Sequence, residues 1–175
     1  MRYWLDTEFI EDGRTIDLLS IGMVAEDGRE YYAEMDGAPL HRANAWVRQN
    51  VLPHLSPCLS DAKHIPGGAN RCTCPVFHPW QIAAAIQDFC DPDQYGKPEF
   101  WGYFADYDWV IFCQLYGAMI DLPNTFPMYC WDLKQEMSRL GISKPLIEGC
   151  GPEHHALSDA RWNKAFWEYL KTKGL

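Results

Sequence analysis

The first 35 residues constrain the fold most, because they read as three strands joined by two short turns. Residues 2–10 (RYWLDTEFI) alternate as a strand does, with Trp4, Asp6 and Glu8 on one face. Glu11-Asp12-Gly13-Arg14 supplies a turn. Residues 16–25 (IDLLSIGMVA) form a second strand, apolar enough to be central. Asp27-Gly28 is a strong two-residue hairpin signal leading into a third strand at 30–35. The tetrapeptide EDGR falls at both turns, a matter of turn chemistry and not of an internal repeat. A chain that begins this way is committed to an antiparallel meander.

The remainder alternates helix and strand. Helical patterns fall near 42–52, 80–90, 107–117, 131–140 and 155–171, a strand at 99–104, and a loop at 145–152. Residues 53–79 hold five of the twelve prolines and read as a long irregular excursion. The expected architecture is α/β: a mixed sheet, made of the three-strand antiparallel meander plus parallel strands, flanked by α-helices. At 175 residues it fits one domain, 1–175, and a hydrophobic fraction of 47% belongs to an ordered globular chain.

No apolar run approaches the roughly 18–20 residues needed to cross a bilayer. Met1-Arg2-Tyr3-Trp4-Leu5 runs straight into acidic residues and makes no signal peptide, so a cytoplasmic protein is expected, with no membrane partner. Seven scattered cysteines argue for reduced thiols and against a disulfide framework. Cys72, Cys74 and His78, with Cys58 and His64 upstream, offer zinc-ligand chemistry, but their spacing matches no common finger or ribbon. The plainer reading is a loop carrying free thiols.

Asp6 and Glu8 leave the same strand face among apolar and aromatic neighbours. Carboxylates that close raise each other's pKa unless a cation lies between them, and hard cations such as Mg²⁺ take carboxylate oxygens. A solvated strand end would carry the same pattern. Two further acids shift the weighing. Asp108 heads a stripe with Ile111, Phe112 and Leu115, and Asp159 heads one with Trp162, Phe166 and Leu170. Both are therefore expected to face the core, although a helix N-terminus would also stabilise either. Asp106 is the weaker alternative to Asp108, since it precedes the helix. His154 and His155 both lie at the loop-to-helix junction, where an imidazole can take a proton from water near neutral pH.

Acids in the order D-x-E, D and H-x4-D resemble the DEDDh group of 3′→5′ exonucleases, which have the ribonuclease H-like fold. The matching residues are Asp6-Thr7-Glu8, Asp108 and His154 through Asp159. The H-x-A-x-x-D form, with Ala156 in place, selects His154 as base. Ala105-Asp106-Tyr107-Asp108 is similar to the family's second motif and selects Asp108. Residues 6–13 (DTEFIEDG), Ser20-Ile21-Gly22, residues 25–32 (AEDGREYY) and Cys113-Gln114-Leu115 are closest to the polyadenylate-specific 3′-exoribonuclease family, RNase AS. Residues 56–79 have no counterpart there.

The resemblance implies two Mg²⁺ ions (or Mn²⁺) about 4 Å apart, held by Asp6, Glu8, Asp108 and Asp159. It implies His154 as the base toward water and single-stranded RNA 3′ ends as substrate, with a preference for adenylate-rich tails. It also implies a homodimer, and eight tryptophans and nine tyrosines exceed what one small core needs. Phe9 is a candidate wedge against the terminal base, with an ordinary core role as the alternative. Thr7 and Glu8 are candidates for reading the 2′-hydroxyl. A net charge of −9 disfavours long duplex, and fits an enzyme that grips only a strand end and whose acids meet cations. A DNA exonuclease and a non-catalytic nucleic-acid-binding domain remain the alternatives.

Overall fold

The computed structural model describes residues 1–60 and 73–175. Three strands form the expected meander: β1 (Arg2–Glu11), β2 (Ile16–Ala25) and β3 (Glu30–Met35), each antiparallel to the next. A short helix α1 (Ala45–Asn50) follows, capped by the Asn44 side chain, which accepts from the Val47 amide. Then come β4 (Val76–Phe77), α2 (Pro79–Phe89), α3 (Pro92–Tyr95) and β5 (Glu99–Gly102). The chain closes with α4 (Asp106–Gln114), β6 (Trp131–Asp132), α5 (Leu133–Arg139) and α6 (Ala156–Lys171). The mixed sheet of six strands runs β4-β3-β2-β1-β5-β6, with β4, β5 and β6 parallel to their neighbours.

Strand alternation distributes the core between the two faces. Tyr3 and Leu5 of β1 join Ile82 and Ile86 of α2 and Phe112 of α4. Trp4, one residue out of phase, joins Phe166 and Leu170 of α6 and Met137 of α5 on the other face. Each large apolar side chain buried this way stabilises the fold by about 1.5–3 kcal/mol. A bulge interrupts the β1–β2 ladder between Glu8 and Phe9, so that Glu8 faces Ser20 while Phe9 faces Leu18. The extra residue, Leu19, reverses the alternation of β2. It packs with Ile10 and with Val47 and Val51, which seats α1 beside the end of β1.

The placement of α6 depends on one glycine. Gly22 sits in the middle of β2, and a β-carbon there would lie 2.3 Å from the Ala156 carbonyl carbon and the Leu157 nitrogen. Only a bare α-carbon lets the first turn of α6 come so close to the sheet. Polar contacts then fix the helix along its length. Asn163 is buried and donates to the Leu5 carbonyl at 2.8 Å, Lys164 donates to the Ala25 carbonyl, and Arg161 pairs with Glu30.

The structure revises several expectations. The helices expected at 42–52, 107–117 and 131–140 are shorter, and the first is broken by 3-10 turns at Leu40–Arg42 and Leu52–His54. The expected excursion at 53–79 contains β4, a strand too short for periodicity to reveal. Glu34 explains why β4 is there. Its buried carboxylate accepts from the Tyr32 hydroxyl and from the amide and hydroxyl of Ser56, while its own amide donates to the Pro75 carbonyl. Both legs of the excursion therefore converge on one residue of β3.

Cys58 and Cys74 are joined as a disulfide, so the expectation of reduced thiols fails for that pair. Cys90, Cys113, Cys130 and Cys150 are free thiols. The zinc alternative loses Cys74 to the disulfide, and His78 pairs with Asp36 at 2.8 Å. His64 and Cys72 lie outside the described residues. No helix among the described residues is long and apolar enough to cross a membrane.

Gly22→Ala is expected to destabilise the fold by about 1–3 kcal/mol, the usual range for overpacking, because the atoms it meets are backbone. Urea unfolding measures this, and an unchanged midpoint would show that α6 can retreat from the sheet.

Candidate active site

The pairing of β1 with β5 runs from Arg2–Glu99 to Trp4–Trp101 and stops there. Beyond it the strands part, and the carbonyl of Leu5 turns to Asn163. This is also where the sheet order reverses, with β2, β3 and β4 on one side of β1 and β5 and β6 on the other. Open α/β sheets characteristically bind ligands at such a crevice. Asp6 and Glu8 are the next residues of β1 to project on the α6 face, opposite Gly22 and Ser20.

Each acid arrives by its own local device. Asp108 is buried in the first turn of α4, whereas Asp106 is exposed. Oδ1 of Asp108 accepts from the Thr7 amide at 2.7 Å and from the Thr7 hydroxyl at 2.6 Å, which ties α4 to β1. Asp159 lies in the first turn of α6, and its Oδ2 accepts from the His154 amide at 2.9 Å. Glu8, His154 and Asp159 each present a ligand atom, all within 4.8 Å of one another. The charges of Asp108 and Asp159 act on both Asp6 and Glu8, so the four carboxylates form one electrostatic unit.

That unit is strongly self-repelling. Burial first, and then the charges of Asp108, Asp159 and Glu8, raise the Asp6 carboxyl well above its ordinary range. Burial and the charges of Asp159 and Asp108 push Glu8 up to about 8. Asp108 is raised to about 6 by burial, against the opposing pull of the Thr7 hydrogen bonds. Burial raises Asp159 as well, opposed by the His154 amide. Buried acids that push one another toward the neutral form are a donor set suited to divalent cations, which take carboxylate oxygens and supply the missing positive charge. The residues present therefore fit such an ion.

The two histidines diverge. His155 caps α6, its Nδ1 accepting from the Ser158 amide, and its ring stacks on Tyr32 at 4.7 Å. Burial lowers its pKa, which favours the neutral form. His154 instead turns toward Glu8 and Asp159, with a left-handed backbone (φ 62°) and an edge-to-face contact with Trp46 at 4.8 Å. Thr7 is buried with its amide and hydroxyl both donated to Asp108, so its place in the site is to hold that carboxylate. Phe9 is half-buried on the opposite face of β1, edge-on to Tyr107 at 5.8 Å.

The supporting roles of four residues escaped the sequence reading. Asp132 caps α5 with one oxygen and accepts the Ala105 amide with the other, fixing the loop that delivers Asp108. An Asp three residues before a Gln at a helix start was the available signal. Gly22 stood as an isolated glycine within an apolar strand, a mark of close backbone approach. Asn163 falls four residues after Asp159 on the same helix face. Trp46 carries no signal beyond being a tryptophan on a short, polar helix.

Residues 1–171 match the family described as the 3'-5' exoribonuclease Rv2179c-like domain. Two 3'-5' exoribonucleases of Mycobacterium tuberculosis are each 40% identical to the chain over 165 residues. One is Rv2179c of strain ATCC 25618 / H37Rv, and the other is MT2234.1 of strain CDC 1551 / Oshkosh. The alignment with each covers 92% of this chain and 88% of the relative. The chain belongs to this 3'-5' exoribonuclease family.

The electrostatics set a pH dependence. Glu8 titrates at about 8 in the folded chain against an ordinary 4.5, so the folded state holds that proton more tightly than the unfolded state. Its stabilising contribution is complete below about 4.5 and is lost as pH rises through about 8. In chelator, the melting temperature should fall across that interval. Added Mg²⁺ should raise it more near pH 8 than near pH 5, because cation and proton compete for the same oxygens. An equal rise at both would show that the ion binds elsewhere.

Proposed function

We propose that the chain is a metal-dependent 3′→5′ exoribonuclease of the DEDDh type, on a ribonuclease H-like fold. Asp6, Glu8, Asp108 and Asp159 would be its metal ligands and His154 its base. The observation that carries this reading is the convergence of Glu8, His154 and Asp159 within 4.8 Å, with Asp6 and Asp108 in the same electrostatic unit. Family membership supports the direction of cleavage and the RNA substrate. The closer reading, an RNase AS-like enzyme acting on adenylate-rich 3′ ends as a homodimer, rests on the sequence resemblance. Exposed Trp80 and Ile120 are apolar surface that an interface could cover.

Two divalent cations, Mg²⁺ with Mn²⁺ as substitute, would supply Lewis-acid stabilisation of the charge that builds on the phosphate oxygens. The protein's own groups account for the rest. His154 would accept a proton from the water that attacks the terminal phosphodiester, as the bond from phosphorus to the upstream 3′ oxygen breaks and a nucleoside 5′-monophosphate leaves. Asp159 holds the backbone of His154 through its amide, and Trp46 restricts the imidazole from the side. Thr7 holds Asp108 in place. Glu8 faces the terminal ribose and would accept from its 2′-hydroxyl. Phe9 with Tyr107 would form an aromatic wall for the terminal base.

Asp6→Asn and His154→Ala are each expected to lower kcat by about 100-fold or more while the chain stays folded. Near-normal turnover in either variant would falsify the assignment. Release rates from oligo(A), oligo(U) and oligo(dA) test the substrate, with the expected order being oligo(A), then oligo(U), then oligo(dA). DNA outpacing RNA would make the protein a DNA exonuclease. Hydrolysis of none of them, with no Mg²⁺ or Mn²⁺ binding by calorimetry, would leave a non-catalytic binding domain. Sedimentation as a monomer would remove the dimer.

A further inference from the structure

Phe104 combines two features that conflict on structural grounds alone. It is 60% exposed, and its backbone is left-handed with φ 55°. A bulky residue in that conformation is strained, and glycine would serve the turn between β5 and α4 better. The ring therefore has another use. It packs edge-on to Tyr103 at 4.8 Å, and Tyr103 packs edge-on to Trp162 of α6 at 5.1 Å. The three rings form a continuous strip from the start of α4 to α6, three residues along that helix from Asp159.

A lysine stands at each end of the strip. Nζ of Lys134 lies over the Phe104 ring at 5.9 Å, and Nζ of Lys144 over the Trp162 ring at 4.6 Å. These ammonium groups are set in a chain of net charge −9, with Asp106 at the start of α4, Asp132 in β6, and Glu148 and Glu153 in the loop before α6. A cavity of about 510 Å³ is lined by Lys144 and Trp162 at one end of the strip and by Asp159 of the acid site. Aromatic faces interleaved with flexible cations suit one class of ligand. Bases stack on the rings, and the lysine stems swing aside to meet the phosphates.

The geometry points to this strip as the track for the single-stranded RNA just upstream of the scissile bond. Phe104 and Trp162 would be its base-stacking residues, and Lys134 and Lys144 its phosphate contacts. The inference rests on the exoribonuclease reading but goes beyond it, because it concerns nucleotides upstream of the one that is released. It predicts that substrate length matters: a decamer engages the strip, and a dinucleotide does not reach its far end.

The test compares an adenylate decamer with the dinucleotide ApA in wild type, Phe104→Gly and the double variant Lys134→Ala/Lys144→Ala. The ratio of the dinucleotide KM to the decamer KM is expected to fall about tenfold in Phe104→Gly, the loss of one stacked base. Its melting temperature should be no lower than wild type's, since glycine relieves the strain. In the double variant, the slope of log decamer affinity against log salt should flatten by about 1.4, at about 0.7 per contact. An unchanged ratio and slope, with wild type degrading the decamer, would overturn the track while leaving the exoribonuclease reading intact. Should wild type release no nucleotide, that reading fails, and the decamer's fluorescence anisotropy decides the surface by the same salt criterion. If Phe104→Gly sediments as a smaller species with the KM ratio unchanged, the strip is a contact between copies and the inference fails. If the glycine variant does not fold, the lysine pair alone decides.

Discussion

The contact between the first turn of α6 and the bare α-carbon of Gly22 governs how the site is assembled. That closeness brings Asp159 and His154 down onto the strand that carries Asp6 and Glu8. Asn163, one turn further along, then takes up the carbonyl that β1 exposes where β5 leaves it. An unsatisfied buried carbonyl would cost about 1–3 kcal/mol. The same hydrogen bond therefore keeps the strands parted and the helix seated. The crevice is thus a consequence of sheet topology, stabilised by a side chain that takes no part in chemistry.

Against this rigid frame stands an electrostatic arrangement that the fold does not favour. Four carboxylates share a partly dry space, and burial and mutual repulsion raise their affinity for protons. Two structural devices offset some of this: the Thr7 donors on Asp108 and the His154 amide on Asp159. Among the described residues no such donor acts on Asp6 or Glu8, whose shifts come from burial and from like charge. The site is held in place by its surroundings, and its two central acids form a donor set suited to a divalent cation.

How much of this was legible in the sequence depended on the length of each signal. The meander, α2 and α6 were readable because alternation or helical spacing persisted over many residues and turn chemistry marked the ends. Asp108 and Asp159 were readable because each headed a core-facing stripe, and the structure indeed buries Asp108 and leaves Asp106 outside. β4 and β6 were not readable, because two residues carry no period. The bulge at Leu19 was hidden, since Leu18 and Leu19 are both apolar and either parity looked acceptable. His154 and His155 were indistinguishable by chemistry and position, and the family motif was needed to choose between them. The disulfide linking Cys58 and Cys74 ran against expectation, because cysteine counting cannot say which sulfurs meet.

Glu34 has a consequence for how such chains can diverge. Its carboxylate holds Ser56 and its backbone holds Pro75, so the two feet of the excursion stand side by side on β3. Closing a loop between fixed, adjacent feet becomes only slowly more costly as the loop lengthens, by about 0.6 kcal/mol per doubling. The clamp therefore fixes both feet on a strand that carries none of the acids, and a change in the length of chain between them is expected to leave the crevice in place.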